Sequence, residues 1–218
     1  MIDSIVSKVF CITTIKSNRF SYIDRHLKDN GIKFEYFIAV DKSIITDTIS
    51  VKDSREHKSS ISLTSAYVSL IERARIEQID SISIIEDDCF FINGWKEKFR
   101  NFIENVPNWD LLNLGYYPTH DTLTVKERIN QFVYKPLACH YTTHCMVIKN
   151  KCYNKFLFIA KELNYSVPID YIFQELYEDG GFNCFYPCEK FIYQLSYRKD
   201  SPSCEIPGNN MRFESFLF

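Results

Sequence analysis

Short apolar runs alternate along this sequence with stretches whose apolar residues recur at helical spacing, and this alternation restricts the possible folds more than any other feature. Apolar runs of strand length occur at residues 9–13, 34–40, 82–85, 110–114, 145–148 and 183–186. Patterns of helical period occur at residues 17–30, 62–79, 95–106, 151–163 and 169–178. This order predicts an α/β fold with a mostly parallel sheet flanked by helices, in which ligands bind at the carboxyl ends of the strands.

Length and composition favour a single domain. The chain has 218 residues, of which 45% are hydrophobic, so it is long enough to bury a sizeable core, and no internal repeat or interdomain linker divides it. We therefore expect one domain over residues 1–218. Residues 42–60 combine lysine, serine, threonine and aspartate with little periodicity and are predicted to form a flexible surface loop. Residues 198–218 contain prolines and a glycine with few apolar residues and are predicted to form a flexible tail.

Charge and hydropathy argue against two classes of protein. The formal net charge is −2 and the pI is near 6.2, without a basic block, so nucleic-acid binding is not expected. No stretch approaches about 18 consecutive apolar residues, and Asp3, Ser4 and Lys8 interrupt the first apolar residues, so we expect no transmembrane segment or signal peptide. We expect a cytoplasmic protein. Abundant Ile, Asn, Lys, Phe and Tyr indicate an AT-rich bacterial or viral genome, and a viral protein would act in the host cytoplasm.

The eight cysteines do not form the pattern of a disulfide framework or a zinc site. Several lie inside apolar runs, where a thiol packs as a small hydrophobic group, so we expect reduced, buried cysteines. The segment CHYTTHC places His140 and His144 four residues apart, between Cys139 and Cys145. Because four residues along a strand span about 13 Å, these two histidines are too far apart to bind one zinc ion.

Three consecutive acids follow a buried strand in SIIEDDCFF, and they are the strongest functional signal in the sequence. Glu86 and Asp88 should point to the same side, because side chains alternate along a strand, and their like charges repel. A hard cation, Mg²⁺ or Mn²⁺, takes one or two such carboxylates and completes its shell with phosphate oxygens and water. The pattern indicates a metal and a phosphate-bearing ligand. Solvated acids, or a cap by Asp87 or Asp88 before Trp95, remain the alternative.

Six segments of the sequence carry a resemblance to a known family when they are taken in order. The segments are VFCITTIKSNRFSYIDRHLKDNGIKFEYFIAVD at 9–41, SLTSAYVSLIERARIEQIDSISIIEDD at 62–88, WDLLNLG at 109–115, THCMVIKNKCYNKFL at 143–157, VPIDYIF at 167–173 and FYPCEKFIYQLS at 185–196. Together they resemble glycosyltransferase family 25, which includes lipooligosaccharide galactosyltransferases and collagen galactosyltransferases, over roughly residues 9–196. One departure is that Ser65 is followed by Ala66, where the family has a Ser-His pair.

The resemblance implies a GT-A-like fold and an inverting, metal-dependent hexosyltransferase. The implied donor is a nucleotide diphosphate sugar, UDP-galactose or UDP-glucose, and the implied acceptor is a glycan or a protein-linked group. Asp88 and Glu86 then hold Mn²⁺ or Mg²⁺, and Asp170 takes the proton of the acceptor hydroxyl. Position at the strand ends together with the resemblance implies a set of donor-binding residues: Thr13, Arg19, Asp41, Ser65, Glu86, Asp87, Gly115, Tyr116, His144 and Gln194.

Other interpretations of these residues and of the function stay open. Asp170 is also suited to interact with a helix dipole, Arg19 to lie on a helix surface, and His144 to pack in a core. The same acids would serve a metal-dependent nucleotide-sugar hydrolase or phosphoryl-transfer enzyme. A non-catalytic module that binds sugar nucleotides is the remaining alternative, and it is compatible with Ala66.

Overall fold

A computed structural model of the chain describes residues 1–15, 17–41, 55–116, 125–136, 142–165, 167–179 and 181–195, without the side chains of 55–57 and 125–126. The strands within these residues are β1 Lys8–Thr13, β2 Glu35–Ile38, β3 Ser81–Glu86, β4 Cys89–Phe91, β5 Leu111–Gly115, β6 Val125–Arg128, β7 Val133–Pro136, β8 Cys145–Lys149, β9 Cys184–Pro187 and β10 Ile192–Gln194. The α-helices are α1 Phe20–Asp29, α2 Arg55–Ile76, α3 Trp95–Asn105, α4 Tyr153–Glu162 and α5 Ile169–Glu178, with 3₁₀ turns at Ile2–Ser4 and Asn150–Cys152.

Eight of the described strands form one central sheet, in the order β2-β1-β3-β8-β5-β9-β7-β6. β2, β1, β3, β5, β9 and β6 run in one direction, and β8 and β7 run in the other. The strand directions confirm the predicted single-domain α/β fold with a mostly parallel sheet. The carboxyl ends of β1, β2, β3 and β5 therefore lie at one edge, where ligands bind in sheets of this kind.

Helices cover both faces of the sheet, as the sequence predicted. On one face, α2, α4 and α5 pack through a buried cluster that includes Tyr67, Leu70, Phe156 and Phe173. On the other face, α1 and α3 pack through a second cluster, which includes Ile23, Leu27, Phe99 and Phe102. Each large apolar side chain buried in these layers contributes roughly 1.5 to 3 kcal/mol to stability. The two layers hold the strand ends in fixed positions.

A second, two-stranded sheet lies beside the acids. β4 begins one residue after Asp88 and pairs antiparallel with β10, with Gln194 opposite Cys89. The helix α1 packs against this strand through His26, whose Nε2 accepts a hydrogen bond from the Phe91 N–H at 2.9 Å. The His26 ring also stacks on Phe90, with 5.3 Å between ring centroids. The turn that carries the acids is thus held from both sides.

Some elements differ from the sequence predictions. The helix α2 begins at Arg55 rather than at residue 62, so residues 55–60, which we assigned to a loop, are helical. The rest of that predicted loop, residues 42–54, and the predicted tail, 198–218, lie outside the described residues. The short strands β4, β6, β7 and β10 were not predicted. Each has only three or four residues and forms through pairing with other strands, which the periodicity of so short a segment cannot reveal.

Two further observations concern membrane spans and cysteines. None of the helices in the described part of the chain is long and apolar enough to span a membrane. The described cysteines are free thiols, and all of them except Cys188 are buried. Of the CHYTTHC segment, Cys139 and His140 lie outside the described residues, so the structure does not test that part of the zinc alternative.

Candidate functional site

The three acids lie at the carboxyl end of the central strands. Glu86 is the last residue of β3, and Asp87 and Asp88 form the turn that leads into β4. Asp87 and Asp88 are only 7% and 6% exposed, so these carboxylates are not solvated surface groups. Burying charged groups is costly unless partners compensate for it, and the partners of each acid are different.

Asp87 is fully engaged by the segment that follows β1. Its Oδ2 accepts hydrogen bonds from the hydroxyl groups of Thr13, at 2.9 Å, and Ser17, at 2.6 Å. Its Oδ1 lies 2.7 Å from Nη2 of Arg19, whose backbone N–H also donates to the Ser17 hydroxyl at 3.2 Å. Both carboxylate oxygens therefore have protein partners. This geometry fits a residue that fixes the β1–α1 connection better than one that binds sugar hydroxyls.

Asp88 keeps one oxygen without a partner. Its Oδ2 accepts a hydrogen bond from Nε2 of Gln194 at 2.9 Å and lies 3.7 Å from Nη1 of Arg19. Its Oδ1 is buried and has no hydrogen-bond partner among the described residues. Burial raises the pKa of Asp88, and the Arg19 charge and the Gln194 hydrogen bond offset part of that rise. Buried oxygens without partners are rare, and a bound ion or ligand is one explanation for them.

Glu86 is held by hydroxyl groups from two other elements. Its Oε1 accepts a hydrogen bond from the Thr143 hydroxyl at 2.9 Å. The Tyr67 hydroxyl, which donates to the Thr143 carbonyl oxygen at 2.6 Å, lies 3.4 Å from the same Oε1. Burial, followed by repulsion from Asp88, raises the pKa of Glu86 well above its ordinary value, and Asp170 adds to the effect. The charges of Asp88 and Asp170 therefore both act on Glu86.

Asp170 lies in the first turn of α5, directly after Ile169, and Pro168 caps that helix. Burial raises the pKa of Asp170 to about 6, although a hydrogen bond with the backbone of Thr142 lowers it. Its Oδ1 is buried and has no hydrogen-bond partner among the described residues. A carboxylate with a pKa near neutrality and a free oxygen is suited to accept a proton.

His144 packs against Gly115 below the acids. The His144 side chain is 1% exposed, and burial lowers its pKa to about 3, so the ring is neutral. A Cβ atom on Gly115 would lie 2.4 Å from Cδ2 of the ring, which explains why a glycine ends β5. The His144 carbonyl oxygen accepts hydrogen bonds from the Glu86 N–H, at 2.9 Å, and from the Cys89 thiol, at 2.8 Å. These contacts favour the interpretation that the His144 ring packs in the core. The backbone of His144 helps to hold the acids.

Three of the predicted donor-binding residues remain, Tyr116, Ser65 and Asp41. Tyr116 is 3% exposed and donates a hydrogen bond to the Pro187 carbonyl oxygen at 2.9 Å, which is a packing contact. Ser65 lies on α2 and is partly buried, and its hydroxyl makes no hydrogen bond with the described residues. Asp41 follows β2 at the same edge as Thr13, since the Ala39 N–H donates to the Thr13 carbonyl oxygen at 2.8 Å.

Several residues of the site were not singled out from the sequence. Tyr67 and Thr143 hold Glu86, and Ser17 holds Asp87. Asn113 is fully buried on β5 and donates through Nδ2 to the Thr142 carbonyl oxygen at 3.0 Å. The hydroxyl and amide groups of these residues are common throughout the sequence, so only their positions in the fold distinguish them.

Glu86 and Asp88 offer two carboxylates to a metal ion rather than a complete set of ligands. Within the described ranges, no group of three or more histidine, cysteine, aspartate or glutamate side chains could hold a metal ion. An ion bound here would take one or two protein carboxylates and its other ligands from substrate and water, as Mg²⁺ does in phosphate-binding sites. Asp88 fits this role because its Oδ1 is buried and no described residue bonds to it.

Comparisons with known proteins give a fold rather than a family. No protein family matches the chain, and no curated protein matches it. Among solved structures, the inositol-1-phosphate CTP transferase from T. maritima is similar, with a TM-score of 0.50 and 10% identity, over 91% of this chain and 92% of that one. A glycosyltransferase involved in the glycosylation of the major capsid of PBCV-1 has a TM-score of 0.48 and 8% identity, over 86% and 92% of the two chains. A197 from STIV has a TM-score of 0.45 and 15% identity, over 85% and 82%.

At these identities, the likeness concerns the path of the backbone and not the chemistry of the site. The similarity to the inositol-1-phosphate CTP transferase extends over nearly the whole of both chains, and that protein therefore shares the single-domain α/β architecture described above.

Proposed function

We propose that this chain is an inverting glycosyltransferase that moves a hexose from a nucleoside diphosphate sugar to a hydroxyl group of a glycan or protein-linked acceptor. One observation carries the proposal. Asp88 and Asp170 each keep a buried oxygen without a partner among the described residues, and the charges of both act on Glu86. Two separate carboxylates, one beside the diphosphate and one beside the acceptor, are what such a displacement needs.

The nucleoside diphosphate would bind along the carboxyl ends of β1, β2 and β3. Thr13 ends β1 and Asp41 follows β2 at this edge, where nucleotides bind in sheets of this type. The Arg19 side chain contacts Asp87 and remains 42% exposed, so its guanidinium can also bind a phosphate oxygen. The contacts of Asp87 fix Arg19 in this position.

Asp88, with Glu86 beside it, would hold a divalent cation, Mn²⁺ or Mg²⁺. Such an ion, when bound, neutralises the charge that develops on the departing nucleoside diphosphate. The free, buried Oδ1 of Asp88 supports this role, and Gln194 and Arg19 hold its other oxygen.

Asp170 would act as the general base. The acceptor hydroxyl gives its proton to Asp170, its oxygen forms a bond with the anomeric carbon, and the bond from that carbon to the diphosphate oxygen breaks. The electron pair leaves with the nucleoside diphosphate, and the configuration inverts. A pKa raised to about 6 allows Asp170 to be ionised at neutral pH and still accept a proton efficiently.

The order of the six sequence segments supports a relation to glycosyltransferase family 25. The Glu-Asp-Asp strand end, the WDLLNLG segment and Asp170 of VPIDYIF all contribute residues to the region described above. A UDP-hexose is the donor that this relation favours. Ala66, which replaces the family's histidine, is 3% exposed within the core on α2, so any contact of that histidine with substrate is absent here.

A second candidate is nucleotidyl transfer, because the inositol-1-phosphate CTP transferase from T. maritima shares the fold at a TM-score of 0.50. This reaction uses the same acids but joins a nucleoside triphosphate to a sugar phosphate and releases pyrophosphate. It belongs to the phosphoryl-transfer class that the sequence left open. Asp170 favours glycosyl transfer, since a phosphate nucleophile is already ionised and needs no general base.

Product analysis tests the proposal directly. The protein is incubated with Mn²⁺, a panel of UDP- and GDP-hexoses and a panel of glycan acceptors, and the products are identified by mass spectrometry. We expect a glycosylated acceptor with an inverted anomeric centre. Free hexose without a glycosylated product would support a hydrolase, and binding without turnover would support a non-catalytic module. Pyrophosphate from CTP or UTP with hexose 1-phosphates would support nucleotidyl transfer.

Two variants separate a role of the acid from general damage to the fold. Asp88→Asn should reduce transfer by at least about 100-fold, since it removes charge beside the diphosphate. Asp179→Asn is the matched control, because Asp179 pairs with Lys155 at 2.7 Å on the surface. Equal transfer rates for Asp88→Asn and the wild type would contradict the assignment of the acids.

A further inference from the structure

The residue Thr142 has an unusual backbone conformation next to the candidate base. Its φ angle is 141°, in a region that β-branched residues rarely adopt. A conformation of this kind costs on the order of 1 to 3 kcal/mol and persists only where surrounding contacts enforce it. The contacts that hold Thr142 in this conformation therefore identify the residues on which the conformation depends.

Two side chains hold the backbone of Thr142 from opposite parts of the fold. Nδ2 of Asn113, on the central strand β5, donates to the Thr142 carbonyl oxygen at 3.0 Å. Asp170, on α5, forms a hydrogen bond with the Thr142 backbone. Asn113 is fully buried, and its Nδ2 lies 3.5 Å from the Tyr186 hydroxyl on β9, so it is anchored in the sheet.

The two residues that follow Thr142 hold the other acid. The Thr143 hydroxyl donates to Oε1 of Glu86 at 2.9 Å, and the His144 carbonyl oxygen accepts from the Glu86 N–H at 2.9 Å. We call Thr142–His144 the clamp. Three residues span roughly 7 Å between their outer Cα atoms, so the clamp sets the separation of Asp170 and Glu86 within narrow limits.

We propose that Asn113 is a positioning residue of this site, which acts through the clamp to orient Asp170 and Glu86 for the proposed transfer. The inference rests on the proposed function and adds a residue to it. Asn113 is suited to the role because its amide donates to Thr142 while strand β5 fixes its Cα atom. Without that bond, Thr142 can relax from its strained φ, and the backbone group that binds Asp170 moves with it.

The test compares Asn113→Ala and Asn113→Leu with the wild type. Leucine has the same number of side-chain heavy atoms as asparagine, branched at the same carbon, but no donor, so it removes the hydrogen bond without leaving a cavity. Ser83→Ala is the matched control: Ser83 is fully buried on β3, its hydroxyl lacks a partner among the described residues, and in the sheet it pairs with Val147 of β8 rather than with the clamp. Thermal melting establishes that each variant is folded.

The first measurement is the pKa of Asp170 by carbon-13 NMR of labelled aspartate carboxyl groups, assigned with Asp170→Asn. The Thr142 hydrogen bond lowers this pKa, so its loss should raise the value by about one unit in both Asn113 variants. Glu86, the ionisable group of β3 that interacts with Asp170, is present in every variant. Ser83→Ala should leave the value unchanged.

The second measurement is steady-state kinetics with the UDP-hexose and acceptor identified by product analysis. The Asn113 variants should lower kcat by at least about tenfold, because a small displacement of a catalytic group has large effects, while KM for the donor changes less than about twofold. The acidic limb of the pH–rate profile should shift to higher pH.

The outcomes distinguish this inference from the proposed function. Folded Asn113 variants with a wild-type Asp170 pKa and wild-type kcat would overturn the positioning role. A loss of kcat equal to that of Ser83→Ala would overturn it as well. If no transfer is detected with any substrate, the proposed function fails, but the NMR titration still decides whether Asn113 positions Asp170.

Discussion

Nε2 of Gln194 donates a hydrogen bond of 2.9 Å to Oδ2 of Asp88, although 106 residues separate the two in the sequence. The Leu195 N–H also donates to the Asp88 carbonyl oxygen at 2.9 Å, so the last residue of β10 and the residue after it hold both the side chain and the backbone of the acid turn. The geometry of the acid turn therefore depends on a strand of three residues from the far end of the described chain.

Replacing Gln194 by alanine should weaken the site without unfolding the protein. A hydrogen bond to a charged group is worth about 1.5 to 3 kcal/mol, so we expect kcat/KM for transfer to fall by about 10- to 100-fold. Gln174→Ala is the matched control, because Gln174 donates to Glu178 at 2.9 Å on an exposed face of α5. Similar effects of both substitutions on kcat/KM would contradict the role of Gln194.

Gly115→Ala should destabilise the protein through a clash with His144. The added Cβ would lie 2.4 Å from the imidazole Cδ2 in a fully packed region, and overpacking of this kind costs about 1 to 3 kcal/mol. Gly181→Ala serves as the control, since the nearest atom to its Cβ, Oδ2 of Asp179, is at an ordinary 3.4 Å. Urea denaturation measures both. A second substitution, His144→Ala, should restore much of the stability that Gly115→Ala removes.

Asp170→Asn should abolish transfer and increase stability at the same time. Loss of a general base lowers the rate by about 100- to 10,000-fold. The folded-state pKa of about 6 exceeds the ordinary 3.8, so the ionised carboxylate costs stability once the pH rises above this range. At pH 8 the substitution should therefore stabilise the protein by about 1 to 3 kcal/mol in urea denaturation.

The pH dependence of the stability difference between Asp170→Asn and the wild type tests this explanation. Near pH 3.8, both the folded and the unfolded wild type bind a proton at Asp170 to a large extent, and the advantage of the variant should shrink. An advantage that is constant from pH 4 to pH 8 would show that desolvation of the charge is not its cause.

His26 should make the protein sensitive to acid. Burial lowers its pKa from 6.5 to about 4, and its Nε2 must be unprotonated to accept the hydrogen bond from Phe91. Between these two pH values the unfolded chain binds more protons than the folded chain. The stability that neutral His26 contributes is therefore complete above pH 6.5 and is lost as the pH falls towards 4.

We expect His26→Leu to lose stability at pH 7, where the wild type keeps the Phe91 hydrogen bond, and to show a flatter pH dependence. The difference between the two proteins in urea denaturation should narrow by about 2 to 3 kcal/mol from pH 7 to pH 4. Because other titrating groups are common to both proteins, they cancel in this difference. A difference that does not change with pH would contradict the role of the neutral imidazole.

Much of the fold could be predicted because it is encoded locally. The apolar run before Glu86 and the helical spacing of Leu70 and Ala74 identify β3 and α2 without knowledge of the rest of the chain. The acid turn was also predictable, since charged residues directly after a buried strand need a compensating partner.

The partners of the acids could not be predicted, because they come from distant parts of the chain. Ser17 reaches Asp87 across 70 residues, and Thr143 reaches Glu86 across 57. A serine before a helix and a threonine before a strand are ordinary residues in any sequence. The prediction that Asp87 binds the donor did not include the contacts that Thr13, Ser17 and Arg19 make with its carboxylate oxygens.

The pairing of β4 with β10 has a consequence for the order in which the molecule is made. A ribosome has made all the described strands of the central sheet and all the described helices before it reaches Ile192, yet the acid turn lacks its closing strand until then. The central sheet and the helices are thus synthesised before the strand that completes the candidate site. A product truncated just before β10 would retain nearly all of the buried layers while Asp88 lacked the amide that holds it in place.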